Sequence, residues 1–393
     1  MNSPNQQDQQ HMNPQSLVLW ASPSKGPIAA KVAVAGDFLP AGKLSFSNDG
    51  WREMAARLAQ HFEDAAISVV NLEAVLESSG LAARPLYGLG DIVSAPSACL
   101  EYLESIHAGI LGIANNHIYD FGAEGIARTR EAISARATVA LGAGRDLCGE
   151  PEVTVWQGPE GIRVGFWAAA RATSDPATRH SAGVEPATVA RGLAALNRMR
   201  RHDACFCIAL LHAGCLRTNY PDPEDVELMD RLAEIGFDVV AASHSHRISG
   251  ARILQSDDDR QAFCFYGLGS IVSGYVASPA EREGLIVVAA LDREGALVQM
   301  EVRPVLLGES GFGEIPSPPM RHAILDRFSR ISAAISDGSY ERAFYRDMSN
   351  GLWRLYVRDA GRAFRQFGMR GLAQKAARVR MRHMKRLVHK VIG

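Results

Sequence analysis

Five short apolar runs in this 393-residue chain end in acids, amides or histidines. "KVAVAGDFL" carries Asp37, "ISVVNLE" ends on Glu73, and "GILGIANNH" runs into Asn115, Asn116 and His117. "CFCIALLHAG" carries His212, and "DVVAASHSH" closes on His244 and His246. Packing explains none of these side chains, because an unpaired buried polar group costs ~1–3 kcal/mol. Two carboxylates, an amide and four imidazoles form a mixed oxygen and nitrogen donor set, suited to one or two ions such as Zn, Mn or Fe. Neutral imidazoles can bind a metal, and carboxylates supply the charge that retains it. Each residue alone has a plainer use: a strand-end histidine is commonly hydrogen-bonded, and Asp37 or Glu73 could cap a helix. Five such endings in one chain point instead to a shared site. His244 and His246 stand at i and i+2, and at a strand end both can turn to one ion.

Such a site needs strands whose ends meet. The five runs alternate with helical patterns such as "AEGIARTREAISARA" and "PEDVELMDRLAEIG", and "EVTVWQGPEGIRVGFWAAA" reads as a hairpin around Gly158–Gly161. Mixed β-α-β units and hairpins predict an α/β fold with a mixed sheet. In such layers the strand C-termini face one crevice, where ligands sit.

Composition and boundaries add to this. With 47% hydrophobic and 22% charged residues the chain reads as a globular protein with room for a sizeable core. Residues 1–28 form a Gln/Asn/Ser/Pro-rich leader that is expected to be disordered. A domain is expected over 29–310 and a helical, basic extension over 311–393. From Gly351 onward twelve Lys/Arg face one acid, Asp359, while the overall charge is −1. A basic tail on an acidic body predicts an anionic membrane surface or acidic peptide as partner, not nucleic acid. An amphipathic helix packed on the body is the other reading of the tail. None of the six cysteines forms a CxxC pair, so buried thiols are expected and a zinc ribbon is not. The polar start lacks a signal-peptide pattern, and no run reaches the ~18–20 apolar residues of a spanning helix. The expected location is cytoplasmic.

The order of motifs resembles the CapA capsule-synthesis family, whose fold is like that of calcineurin-type metallophosphoesterases. The family's "GD" is Gly36-Asp37, its "NLE" is Asn71-Leu72-Glu73, and its "NNHxxDxGxxG" is "NNHIYDFGAEG" from Asn115 to Gly125. Its "GAG" turn is Gly142-Ala143-Gly144, "HAGCL" stands for "HWGxE", "ASHSH" for "GHHPH", and "YGLGSI" from Tyr266 for "YSLGNF". The resemblance spans residues 30 to 305 and implies a four-layer α-β-β-α sandwich with the site at the strand ends. It implies Asp37, Glu73, Asn116, His212, His244 and His246 as metal ligands, and Asp37 and His117 as proton carriers. Asp120 and Gly122 would shape the turn into the next helix.

The resemblance also implies a metal-dependent enzyme acting on a peptide or poly-γ-glutamate-type substrate in a biosynthetic pathway. Epimerisation at an α-carbon suits such a site, because a metal and acid–base groups can share the work. The alternatives are phosphoester hydrolysis and a non-catalytic accessory role in capsule or polymer assembly. Phosphoesterases of this fold begin with Asp-x-His, whereas this chain has Leu39 there. Ala213, Leu216, Ala242, Ser243 and Ser270 depart from the family pattern as well.

Overall fold

Valine-, isoleucine- and alanine-rich runs bounded by Gly and Pro form the strands, and buried positions alternate between two cores along them. The computed structural model describes residues 16–348 apart from 24–25, 45, 47–49, 85–91, 145–148, 172–176, 179–180, 217 and 256–259, together with Met369. The first fifteen residues, and the basic helical segment expected from Gly351 onward, otherwise lie outside the described residues.

In chain order the longer elements begin with β1 (Leu17–Ala21), β2 (Ala30–Leu39), α1 (Gly50–Ala59), β3 (Ile67–Leu72) and α2 (Leu100–Ser105). Next come β4 (Ala108–Gly112), α3 (Gly122–Ser134), β5 (Val139–Leu141), β6 (Thr154–Gln157), β7 (Arg163–Ala170) and α4 (Val189–Arg201). Then follow β8 (Phe206–Ala213), α5 (Pro223–Glu234), β9 (Val239–His244), β10 (Ala251–Gln255) and β11 (Gln261–Phe265). The last are β12 (Ser270–Ser273), β13 (Glu283–Leu291), β14 (Leu297–Leu307) and α6 (Pro318–Ser336).

Two mixed sheets face each other. The first has the order β1-β14-β13-β2-β3-β4-β5, with β12 added beside β2, and the second β10-β11-β9-β8-β7-β6. Strand β8 shows the layering: Ile208 and Leu210 enter the core between the sheets, while Cys207, Ala209 and Leu211 face the core under α4 and α5. Helices α1 and α2 pack on each other and against the first sheet. The result is the four-layer α-β-β-α sandwich. Strands β2, β3 and β4 run parallel in one sheet, and β7, β8 and β9 in the other.

The leader expected to be disordered through residue 28 contains a strand, which corrects that reading for Leu17–Ala21. Strand β1 pairs antiparallel with β14. Leu17, Leu19 and Trp20 pack on the core, and the Trp20 ring meets Phe263 edge-on at 6.0 Å. Burial of these side chains outweighs the ordering cost that the flanking polar residues suggest. Beyond residue 310, α6 lies across both cores: Ile324 and Phe328 enter one, Ile331 and Ile335 the other. Cys99, Cys207 and Cys264 are buried thiols, as their apolar surroundings predict.

Candidate metal centre

The end of β2 is shaped by a close approach. A Cβ on Gly36 would sit 2.1 Å from the Gly269 carbonyl oxygen, so only glycine fits. The β2–β3 register slips between Ala35 and Asp37, and the Asp37 N–H donates to Gly269 O at 2.9 Å. Such a bulge re-aims the next side chain, here Asp37. Asp37 Oδ2 accepts the His244 N–H at 3.1 Å, which ties β2 of one sheet to β9 of the other.

The turn after β4 divides its polar residues. Asn115 is buried; its Oδ1 accepts the N–H groups of His117 (3.1 Å) and Ile118 (3.0 Å), and its Nδ2 donates to Leu72 O (2.7 Å). It builds the turn. Asn116 Oδ1 accepts from His212 Nε2 at 2.6 Å. His117 Nδ1 donates to Asp120 Oδ2 at 2.9 Å, and the same oxygen accepts the Val93 N–H. A carboxylate only accepts, so Nδ1 carries the proton and Nε2 is the nitrogen left to take another. Asp120 was expected only to shape the turn; it also holds His117.

The predicted ligands converge. His212 Nε2 lies 3.5 Å from Glu73 Oε1, and His246 Nδ1 lies 3.8 Å from Glu73 Oε2 and 3.1 Å from Asp37 Oδ2. The His212 and His244 rings are 4.5 Å apart between centroids. Two groups with metal-ligand spacing result, Glu73/His212/His244 and Asp37/Glu73/His246. Backbone strain accompanies them at His244, whose φ of 131° non-glycine residues rarely take, while His246 adopts a left-handed φ of 55°.

Asn71 is a participant that the sequence reading did not assign to the site. Its Nδ2 donates to Asp37 Oδ1 at 2.7 Å and stands 3.3 Å from His212 Nδ1. The signal was an amide between the apolar Val69-Val70 pair and Leu72. Ser270, one of the departures, lies with its Oγ 3.3 Å from His246 Nδ1. Leu39 is buried at 3% exposure and supplies no donor.

The electrostatics are lopsided. Burial pushes the Asp37 carboxyl up, but the His246 hydrogen bond and the charges of His246 and His212 prevail and hold it well below the usual carboxylate range. Glu73 lacks such support: burial, then the charge of Asp37, push it up to about 8. Burial acts to lower His246, yet the Glu73 charge and the bond to Asp37 raise it to about 9. Burial and the charge of His246 press His244 down to about 4, and burial with the His244 charge drives His212 well down. For His117 burial is outweighed by the bond to Asp120 and the charge of Glu73, and the net shift is upward.

Both Glu73 oxygens and His244 Nδ1 are buried without a hydrogen-bond partner. Orphaned acceptors of this kind are rare in folded proteins. A divalent cation fits here: it would supply what the oxygens lack and reverse the local pKa logic. Neutral His212 and His244 are in the form that ligates.

Fold and donor set together define an α/β sandwich with a candidate metal centre between its two sheets. A family model described as bacterial capsule synthesis protein PGA_cap matches residues 31–275, and the chain belongs to that family. Capsule biosynthesis protein CapA of Bacillus anthracis is 24% identical over 270 residues, covering 66% of this chain and 59% of that protein. A probable polyglutamine synthesis accessory protein of Mycobacterium tuberculosis is 27% identical over 274 residues, covering 65% and 69%. Similar solved structures include an NAD nucleotidase from Haemophilus influenzae (TM-score 0.44, 12% identity, covering 82% of this chain and 60% of that one). Another is the calcineurin-like phosphoesterase YfkN from Bacillus subtilis (TM-score 0.44, 10% identity, covering 80% and 99%). No helix among the described residues is long and apolar enough to cross a membrane.

Proposed function

We propose that the chain is a metal-dependent enzyme of capsule or poly-γ-glutamate-type polymer biosynthesis, acting on a peptide or polyglutamate-type substrate by acid–base chemistry. The observation that carries this reading is Glu73, whose two buried, donorless oxygens stand among imidazoles beside the His117–Asp120 pair. The names of the matched relatives support the polymer. Asp37, Glu73, Asn116, His212, His244 and His246 would hold an ion of the Mn, Zn or Fe type, which when bound would polarise a substrate carbonyl.

His117 is the proton carrier, oriented through Nδ1 so that Nε2 can accept and return a proton. Asp37 serves the ligand set, not proton transfer. It is 0% exposed, its oxygens already accept from Asn71 and His244, and a general base must reach the substrate. Epimerisation at an α-carbon is the reaction to test first. Phosphoester hydrolysis is a second reading, favoured by two donor groups sharing Glu73 and opposed by Leu39. The basic residues from Gly351 onward would hold an anionic polymer or membrane surface, an attraction weakened by salt.

The deciding experiment incubates metal-loaded protein in D2O with poly-γ-glutamate and short peptides. Deuterium entering the α-carbon with the bonds uncut supports the reading. Robust cleavage of an aryl phosphate, with no exchange into any peptide, would replace it with phosphoester hydrolysis.

A further inference from the structure

The two donor groups that share Glu73 differ in how far the protein already uses their atoms. In Glu73/His212/His244, both Glu73 oxygens and His244 Nδ1 are buried without a partner. Asn116 Oδ1 stands 2.6 Å from His212 Nε2, so this group has a fourth donor at hand. Its one internal hydrogen bond joins two prospective ligands.

In Asp37/Glu73/His246 the atoms other than those of Glu73 are committed. Asp37 Oδ1 accepts from Asn71 Nδ2 at 2.7 Å. Asp37 Oδ2 accepts the His244 N–H at 3.1 Å and faces His246 Nδ1 at 3.1 Å. The same His246 nitrogen lies 3.3 Å from Ser270 Oγ. Two residues beyond Asp37 along β2, where a further donor could stand, is the buried apolar side chain of Leu39.

An ion entering the first group meets the partnerless atoms of Glu73 and His244 and displaces one hydrogen bond between neutral groups, that of His212 to Asn116. An ion entering the second must displace hydrogen bonds to a charged group, each of which contributes ~1.5–3 kcal/mol. We infer that the metal centre is asymmetric: Glu73, Asn116, His212 and His244 hold one ion first and tightly, and Asp37, Glu73 and His246 form a weaker second position. The inference rests on the metal-dependent reading proposed above. When one ion is bound, the Asp37–His246 pair braces the strained backbone of His244 beside it. The second ion enters only at higher metal concentration.

The test is a calorimetric titration of the metal-stripped full-length chain with Mn2+, paired with metal analysis after dialysis. One ion should be retained on dialysis, and a second should bind at least about tenfold more weakly. His244→Ala should remove the tight ion, whereas His246→Ala should keep it and lose only the weak one. Leu39→His should narrow the gap between the two. Two ions of equal affinity, or loss of the tight ion in His246→Ala with His244→Ala unaffected, would overturn the asymmetry and leave the metal reading standing. No bound Mn2+ at any concentration would overturn both. Should a variant fail to fold, the stoichiometry and affinities of the unmodified chain still decide.

Discussion

At the scale of residues, three neighbours in one turn do three jobs. Asn115 closes the turn with backbone partners, Asn116 meets His212, and His117 is held by Asp120. Residue type and spacing made Asn116 and His117 legible as site residues. The partnership with Asp120 needed the folded turn, because an i, i+3 aspartate before a helix serves equally well as a turn residue. His117→Ala should lower turnover by about 10²-fold or more, the usual weight of a positioned acid–base group. Asp120→Asn keeps a hydrogen-bond acceptor but loses the charge, so a fall of about tenfold is expected, with the metal content unchanged. Equal turnover in wild type and His117→Ala would remove His117 from the chemistry. Glu73 gives a second expectation. Glu73→Gln should abolish metal retention and yet raise the melting temperature of the metal-free protein above about pH 8, where the Glu73 carboxyl ionises, since a buried amide costs less than an unpaired carboxylate. A lower melting temperature in the metal-free variant would contradict the orphaned-carboxylate account.

At the scale of elements, α6 joins the two cores. Its apolar stripe at 324, 328, 331 and 335 follows helical spacing, and the Ser332 hydroxyl accepts the Ala251 N–H of the edge strand β10 at 2.9 Å. Burying one such side chain contributes ~1.5–3 kcal/mol, so four approach the ~5–15 kcal/mol that a whole domain possesses. A chain ending at Ser317 should therefore show no cooperative thermal transition by circular dichroism. A chain ending at Met348, which keeps α6, should retain a cooperative transition. If the Ser317 truncation melts cooperatively, α6 is an appendage. The helix itself was plain from its periodicity; its place on the sandwich was not. Strands β1 and β10 escaped the sequence reading for a related reason. Both lie at sheet edges, where few side chains are buried and alternation is faint.

Across the whole molecule, a second charged group stands apart from the metal centre. Arg303, at 2% exposure, bonds Asp64 and Glu301, and His61 is buried beside it. Burial, then the charges of Arg303 and Arg321, push His61 from 6.5 down to about 4; Asp64 and the Pro304 carbonyl pull the other way. The folded state thus binds this proton less readily than the unfolded chain. Its stability contribution is complete above pH 6.5 and is lost as the pH falls toward 4. Urea unfolding at pH 7 and pH 5 should show the wild type losing about 2 kcal/mol more than His61→Phe. Equal losses would show that His61 titrates normally.

Local sequence determined most of the strands and helices, the family motifs and, through the resemblance those motifs carry, the six prospective ligands. Apolar runs, glycines and polar endings act within a few residues, and their physics is visible in one dimension. Tertiary structure decided what depends on distance between remote segments. It brought Asp37 of β2 within 3.1 Å of His246 after β9, left Glu73 without a donor, and enlisted Asn71 and Asp120. Hydrogen-bond satisfaction is a property of the packed site, because the partner of a buried oxygen can come from any strand that ends beside it.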